Sequence, residues 1–496
     1  MAQIERNLLV IPQLFSLRLH SYIRTALAVS FIVFTTSAKS EELQIPDLGD
    51  AGGGMMSPAD EYELGQKVLR IYRSNLPISN DPFYEVYLET LLQKLVTYSA
   101  VKDKRLELLV IDDKNLNAFA APGGIVGVNT GTFLIAQSEA QLASILSHEL
   151  AHLSQRHFIR SQQKQAKANM AGLVGMIGGI ILGATAGPDA GMAAITAAQA
   201  GVLDARLRFS RDMEQEADRI GMETLVLSGY PAGSMPDMFE VMQSNARYRT
   251  RVPEFLLTHP LTESRIADSR SRADRYPKRP PSHDVDFQIA KARAILQTEE
   301  SPQFAVKRFS EELKGTTLSS LTARYGLLLA LIQSGQTDKA KNVLVELQKD
   351  YPSLPSLIVA QADIAAKSDQ SAQAVAILES ALKSQPHNQL FSIRLAELLM
   401  ENSRYAECEK LLQEYVKIKP KNAYTWYLLA EVHGLVGHIL EVHKARAEYF
   451  ILHGIYDKAE IQLRNALKLV GNDFQSRSRI EQRLIDVKNM QREKIG

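Results

Sequence analysis

The 496-residue chain predicts a mostly α protein, an α+β domain followed by an all-α solenoid of helical repeats. Two observations carry that prediction. Short apolar runs bounded by turn residues lie in the first half, where Leu106–Ile111 (LELLVI) and Gly124–Asn129 (GIVGVN) read as strands. Later in the chain, fixed columns repeat at a spacing of 34: Pro352, Pro386 and Pro420; Ala340, Ala374 and Cys408; Ala362, Ala396 and Ala430. Three columns at one period are the mark of stacked helical units.

Taken in order, Arg18 and Arg24 precede the uncharged run Ala26–Ser37, which is shorter than the roughly 20 residues a spanning helix needs. Residues 1–40 therefore read as a secretory signal, with Ala38 and Ser40 as cleavage positions; an uncleaved anchor is the competing reading. Residues 41–56 are a flexible lead-in, 57–276 the α+β domain, 277–288 a proline-rich charged linker and 289–496 the repeats. The single cysteine, Cys408, excludes an intramolecular disulfide, so an exported chain of this kind fits a bacterial envelope better than the external medium. A net charge of +1 gives no support to nucleic-acid binding.

Within the α+β part, Ser138 with Gln141 three residues later is spaced as a capping box and opens a helix. The uncharged stretch Met170–Gly187 reads as an apolar flap near the active site, because its glycines cost helix propensity; a membrane hairpin or span is the alternative. The repeat period of 34 is that of the tetratricopeptide repeat, which makes Cys408 a buried small residue in a packing column. Ala459 lies 51 residues past Cys408, one and a half periods, so the last repeats, with Ala447, Ala459 and Ala466, are degenerate or hold an inserted helix.

The chemistry is concentrated in LSHELAHLSQRHF, residues 146–158. Positions i and i+4 share a helix face, so His148 and His152 can present imidazoles to one ion, a spacing suited to Zn²⁺. Glu149 beside them is placed to act as general base on a water. A third ligand is required. The scheme HExxHxxGxxH fails at Gln155 and Phe158, and His157 falls out of register and reads as an exposed helix residue. Further on, Glu214 and Asp218 are again four apart. That helix could supply a carboxylate ligand and an acceptor for the free nitrogen of a ligating histidine; alone it would read as a solvated acidic face.

HELAH at 148–152, EQEAD at 214–218, NAFAAPGGIVGVNTG at 117–131 and THPLTESRI at 258–266 together resemble the M48 metallopeptidase family, of the gluzincin group that includes the Ste24 and HtpX proteases. The resemblance implies a gluzincin-type fold and one Zn²⁺ per chain held by His148, His152 and Glu214, with Glu149 as base. It makes Asp218 the supporting partner of a ligand and places His259 and Arg265 near the active site. His259 has two functional readings, an oxyanion stabiliser or a switch that replaces the catalytic water and leaves the enzyme latent, beside the plain reading of a loop histidine. The strand Gly124–Asn129 is either an edge to which an extended substrate adds or a buried core strand.

From about residue 57 to the end the chain is similar to envelope members of this family. That similarity implies an endopeptidase in the periplasm of a Gram-negative bacterium. Its substrates would be misassembled or stalled outer-membrane β-barrel proteins, whose assembly it would also assist, with the repeats contacting the β-barrel assembly machinery and peripheral membrane contact. The alternative is a non-proteolytic chaperone or adaptor acting through the repeats, its zinc site latent. A membrane-embedded protease is the third reading, and it depends on residues 170–187.

Overall fold

Ser57 and Pro58 start the first helix: Ser57 accepts from the Asp60 backbone amide and Asp60 accepts from that of Ser57, a complete capping box with proline at the first helical position. The computed structural model describes residues 56–165, 211–247, 252–280 and 284–495. The signal at 1–40, nearly all of the lead-in and the flap at 170–187 lie outside them.

Helix α1 (Pro58–Asn75) and helix α2 (Pro82–Tyr98, capped by Asp81) precede a three-stranded sheet of β1 (Glu107–Ile111), β2 (Ala118–Ala121) and β3 (Ile125–Asn129). The order is β1-β3-β2, with β1 parallel and β2 antiparallel to β3. This decides the edge question against the predicted strand: β3 is bonded on both sides and buried at every residue, and among the described residues its hairpin partner β2 is an edge strand, bonded on one side only. Gly123 and Gly124, at φ +77° and +81°, make the turn between β2 and β3. Helix α1 packs so closely on that turn that a Cβ on Gly65 would stand 2.4 Å from the Pro122 carbonyl oxygen.

After the short α3 (Thr132–Ile135) comes α4 (Glu139–Ser154), whose residues from Ala140 to His152 are all buried. Ser138 accepts from Gln141 N–H as predicted, but the Gln141 side chain accepts from Gln137 N–H rather than closing the box on Ser138. Arg156, at φ +50°, breaks the helix before α5 (His157–Gln165). Among the described residues four more helices belong to this part: α6 (Arg211–Leu227), α7 (Ser234–Arg247), α8 (Glu254–Thr258) and α9 (Glu263–Ala273).

Helix α10 (Val285–Gln297) begins inside the predicted linker. Its Phe287 reaches Phe133 of α3 (ring centroids 6.2 Å apart), and one hydrophobic core runs from Phe83 through α4 to Ile364. The first repeat helices, α11 (Pro302–Glu312), α12 (Ser320–Gln333), α13 (Thr337–Asp350) and α14 (Pro355–Lys367), thus build on the α+β part. The array continues with α15 (Ser371–Ser384), α16 (Gln389–Glu401), α17 (Tyr405–Ile418) and α18 (Ala423–Leu435). Helices α13, α15 and α17 start at 337, 371 and 405, the predicted period, and the column residues Ala340, Ala374, Cys408, Ala362 and Ala396 are fully buried. The Cys408 thiol donates to the Ala396 carbonyl at 3.3 Å, joining two columns, and burial pushes its pKa up to about 12.

The phase slip also has a structural form. Helix α19 (Ile439–Leu452) starts where the period puts a second helix for α18, yet Ala447 and Ala459 stand in the same 12-residue relation as Ala396 and Cys408. It therefore serves two repeats, with Ala445 in the core shared with α18 and Ala447 in a separate core with α20 (Tyr456–Leu469) and α21 (Phe474–Ile495). Among the described residues no helix is long and apolar enough to cross a membrane.

The repeats curve back to touch the first part. Gln389 and Asn422 donate to Glu85 at 2.7 and 2.9 Å, Lys419 pairs with Glu89 at 2.7 Å and Lys421 with Glu107. His453 Nδ1 donates to the Arg73 carbonyl at 2.9 Å, and a Cβ on Gly454, at φ +66°, would lie 2.8 Å from Arg70 Cβ. Gly454→Ala is expected to lower unfolding stability by about 1–3 kcal/mol in denaturant titration. Gly471→Ala is the control, since that residue has φ +58° but open space around an added Cβ. An equal loss in both variants would mean that the contact with α1 contributes nothing.

Candidate metal centre

Helix α4 is buried on every side, so its histidines meet protein rather than water, and one turn brings His148 Nε2 and His152 Nε2 to 2.9 Å. Helix α6 crosses α4 closely enough that a Cβ on Gly221 would stand 3.0 Å from the His148 backbone nitrogen. That approach delivers Glu214, whose carboxylate oxygens lie 3.5 Å from His148 Nε2 and 3.4 Å from His152 Nε2. His259, at the C-cap of α8, puts its Nδ1 3.1 Å from Glu214 Oε1 and 3.4 Å from His148 Nε2. Ligand atoms of all four residues fall within 4.8 Å of one another, and none of the four is more than 4% exposed.

The predicted supporting residues are also in place. Asp218 Oδ1 is 3.0 Å from His148 Nδ1, which directs Nε2 of that ring into the cluster. Arg265 is bidentate on Asp218, both contacts 2.7 Å, and reaches Glu214 Oε2 at 2.8 Å. Through the same nitrogen it also donates to the Pro260 carbonyl at 2.8 Å, beside His259. Burial alone would lower the His148 pKa, but Asp218 and Glu214 raise it to about 9. Burial pushes Glu214 upward, and His259 with His148 overrides it, holding the carboxyl well below its ordinary value. For His152 burial dominates and favours the neutral ring.

His157 departs from expectation. It is fully buried, with Nδ1 2.9 Å from His152 Nδ1 and Nε2 3.1 Å from Glu216 Oε2. The break at Arg156 restarts the helix and turns this ring back inward, whereas the register argument had assumed one continuous helix. The tautomers follow from the neighbours: His152, with Nε2 toward the cluster, donates from Nδ1 to His157, which donates from Nε2 to Glu216. Arg160 holds Glu216 at 2.9 Å. His157, Glu216 and Arg160 were missed because nothing in their spacing announces a relay across two helices.

Glu149 is 1% exposed, and its Oε1 is buried without a hydrogen-bond partner, 3.6 Å from His259 Nε2. Burial raises its pKa, opposed by His259, by His148 and by a hydrogen bond from the Ala120 backbone amide of β2. Three imidazoles and a carboxylate buried together, with the Glu149 carboxylate alongside, are a donor set that fits Zn²⁺.

Residues 83–273 match the family described as Peptidase family M48, and residues 365–432 match a tetratricopeptide repeat. A putative beta-barrel assembly-enhancing protease of Vibrio cholerae is 36% identical over 64% of this chain and 65% of that protein. The beta-barrel assembly-enhancing protease of Escherichia coli is 31% identical over 90% of this chain and 92% of its own length. The mitochondrial metalloendopeptidase OMA1 of Schizosaccharomyces pombe is 30% identical over 36% of this chain and 50% of that protein.

His157→Ala leaves every candidate ligand atom untouched. It is expected to weaken zinc affinity about 10–100-fold in competition with a chelator of known affinity. An unchanged affinity would reduce His157 to packing.

Proposed function

The chain belongs to peptidase family M48 and to its beta-barrel assembly-enhancing protease group, and from that premise we propose that it is a zinc-dependent endopeptidase whose resting site is latched by His259. The metallopeptidase activity follows from the family. The choice of zinc, the residue roles, the compartment and the clients are our reading.

Zn²⁺ held by His148, His152 and Glu214 would supply Lewis acidity toward the scissile carbonyl and lower the pKa of water. Glu149 takes the proton from the attacking water as its oxygen bonds to the carbonyl carbon, then delivers that proton to the amide nitrogen as the C–N bond breaks. The observation that carries this reading is the Glu149 carboxylate, buried beside the ligand cluster with one oxygen that accepts no hydrogen bond. A site serving structure alone has no use for a desolvated base there. Asp218 and Arg265 act through the ligands, as positioning residues.

Strand β2 offers the substrate path. Asn129 N–H bonds to the Asn117 carbonyl, so by antiparallel alternation the main-chain groups of Ala118 and Ala120 point away from β3, and the Ala120 amide reaches Glu149. An extended peptide laid along this edge is held by main-chain hydrogen bonds, which favours unfolded clients over a narrow cleavage sequence.

His259 supports latency over the oxyanion role. Its Nδ1 shares the cluster with Glu214 and His148 instead of standing back from it, and a fourth protein ligand closes the position that a catalytic zinc leaves for water. Misassembled or stalled outer-membrane β-barrel proteins in the periplasm are the proposed clients, and the β-barrel assembly machinery the proposed partner of the repeats. The names of the relatives and the repeat array support this.

Glu149→Gln is expected to keep about one zinc per chain at this site and to lose about 10²–10⁴-fold in cleavage of an unfolded client. Retained cleavage sinks the enzyme assignment of Glu149. If this variant still promotes barrel assembly, the chaperone activity is separate from the protease. His259→Ala is expected to keep its zinc and to raise client cleavage by about tenfold, as release from a blocked state requires. Unchanged cleavage, or loss of the metal, would refute the latch.

A further inference from the structure

A second cluster of metal-ligating side chains lies in the repeat array, remote in sequence from the peptidase site. Glu409 on α17, His433 in the last turn of α18 and His438 just before α19 have ligand atoms within 4.8 Å of one another. Both imidazoles converge on one oxygen: His433 Nδ1 is 2.8 Å and His438 Nδ1 2.6 Å from Glu409 Oε1.

The backbone builds this arrangement. Gly437, at φ +81°, ends α18 in the left-handed conformation, and His438 N–H donates to the His433 carbonyl at 2.9 Å. The two histidines are thereby tied together before their rings find the carboxylate, so little ordering remains to be done on binding. His433 is 2% exposed, while the His438 side chain is 55% exposed, giving one anchored ligand and one at the entrance. Burial favours the neutral ring of His433 against the pull of Glu409. The neighbouring Cys408 is not part of the group, since its sulfur is turned to the Ala396 carbonyl.

We propose that Glu409, His433 and His438 form a second binding site for a borderline first-row divalent cation, Zn²⁺ in the first instance, in addition to the peptidase metal. Two imidazole nitrogens and a carboxylate oxygen are a recurrent zinc donor set. At metal–ligand distances of about 2.0–2.1 Å, tetrahedral ligand atoms stand about 3.3 Å apart, so the Glu409 oxygen retreats by about half an ångström to admit the ion. The tautomer also changes. Both rings carry the proton on Nε2, leaving the Nδ1 lone pairs to the cation. The location gives the site its consequence. The cation ties α17 to the turn between α18 and α19, at the joint where the repeat phase slips and the core divides between Ala445 and Ala447.

The test is zinc stoichiometry of the full chain after equilibration with buffered free Zn²⁺ and removal of excess. Wild type is expected to hold two zinc ions, and His438→Ala and Glu409→Gln one each. His438 is more than half exposed, so its loss leaves the fold intact, and Glu409→Gln retains an acceptor for the histidine N–H groups. His148→Ala/His152→Ala reports the peptidase site separately. Loss of one zinc with His438→Ala supports the second site even if the peptidase site proves empty. Two zinc ions retained by both His438→Ala and Glu409→Gln, or a single ion in wild type that only the His148/His152 variant removes, overturns it. Co²⁺ substitution adds a readout independent of activity: the d–d absorption of the second ion is expected to vanish in His438→Ala.

Discussion

Arg265 pairs with two buried carboxylates at once, and the geometry of the candidate metal centre depends on that. Asp218 and Glu214 stand four residues apart on α6 with 3% and 2% of their surfaces exposed, where an unpaired carboxylate would protonate or disrupt packing. The guanidinium engages both, bidentate on Asp218 and through its other terminal nitrogen on Glu214. Removing one partner of such a buried set costs about 3–5 kcal/mol, because the remaining charges are left without compensation. The same contacts aim the carboxylates: Asp218 orients His148, and Glu214 faces both histidines of α4. Since Arg265 also bonds the Pro260 carbonyl, the segment carrying His259 is registered against the candidate ligands by the same side chain.

A second constraint is shared by the two halves of the chain. The core that encloses α4 continues through Phe287, Ile289 and Phe309 to Ile364, so the first repeats complete the packing behind the site and are not a tethered appendage. Farther along, the contact changes character. Glu85, Glu89 and Glu107 meet Gln389, Lys419, Lys421 and Asn422 through polar and ionic pairs, which are weaker and sensitive to salt. The array is thus firmly rooted at its start and more lightly held at its middle.

Much of the centre was legible in the residue pattern. HELAH and EQEAD place four groups at helical i, i+4 spacing, and helical geometry alone turns each pair to one side. The columns Ala340, Ala374 and Cys408 are likewise readable, because small residues recur wherever two helices cross closely. His157 was misread because a helix break at a positive-φ arginine leaves no mark in a register argument. Glu216 looked like part of a solvated acidic face, and its role depends on a histidine from another helix.

By itself the sequence determined which residue types could form a metal site, the helical faces they occupy and the period of the repeats, since these follow from backbone geometry over a few residues. Only the tertiary structure decided that β2 and not Gly124–Asn129 is the open edge beside Glu149, that His259 joins the ligand cluster, and that His157 is buried behind His152. It also decided that Glu409 meets His433 and His438. The burial of His157 comes from the local break at Arg156, and the others depend on contacts between separate elements, whose register is set by packing and not by any local preference.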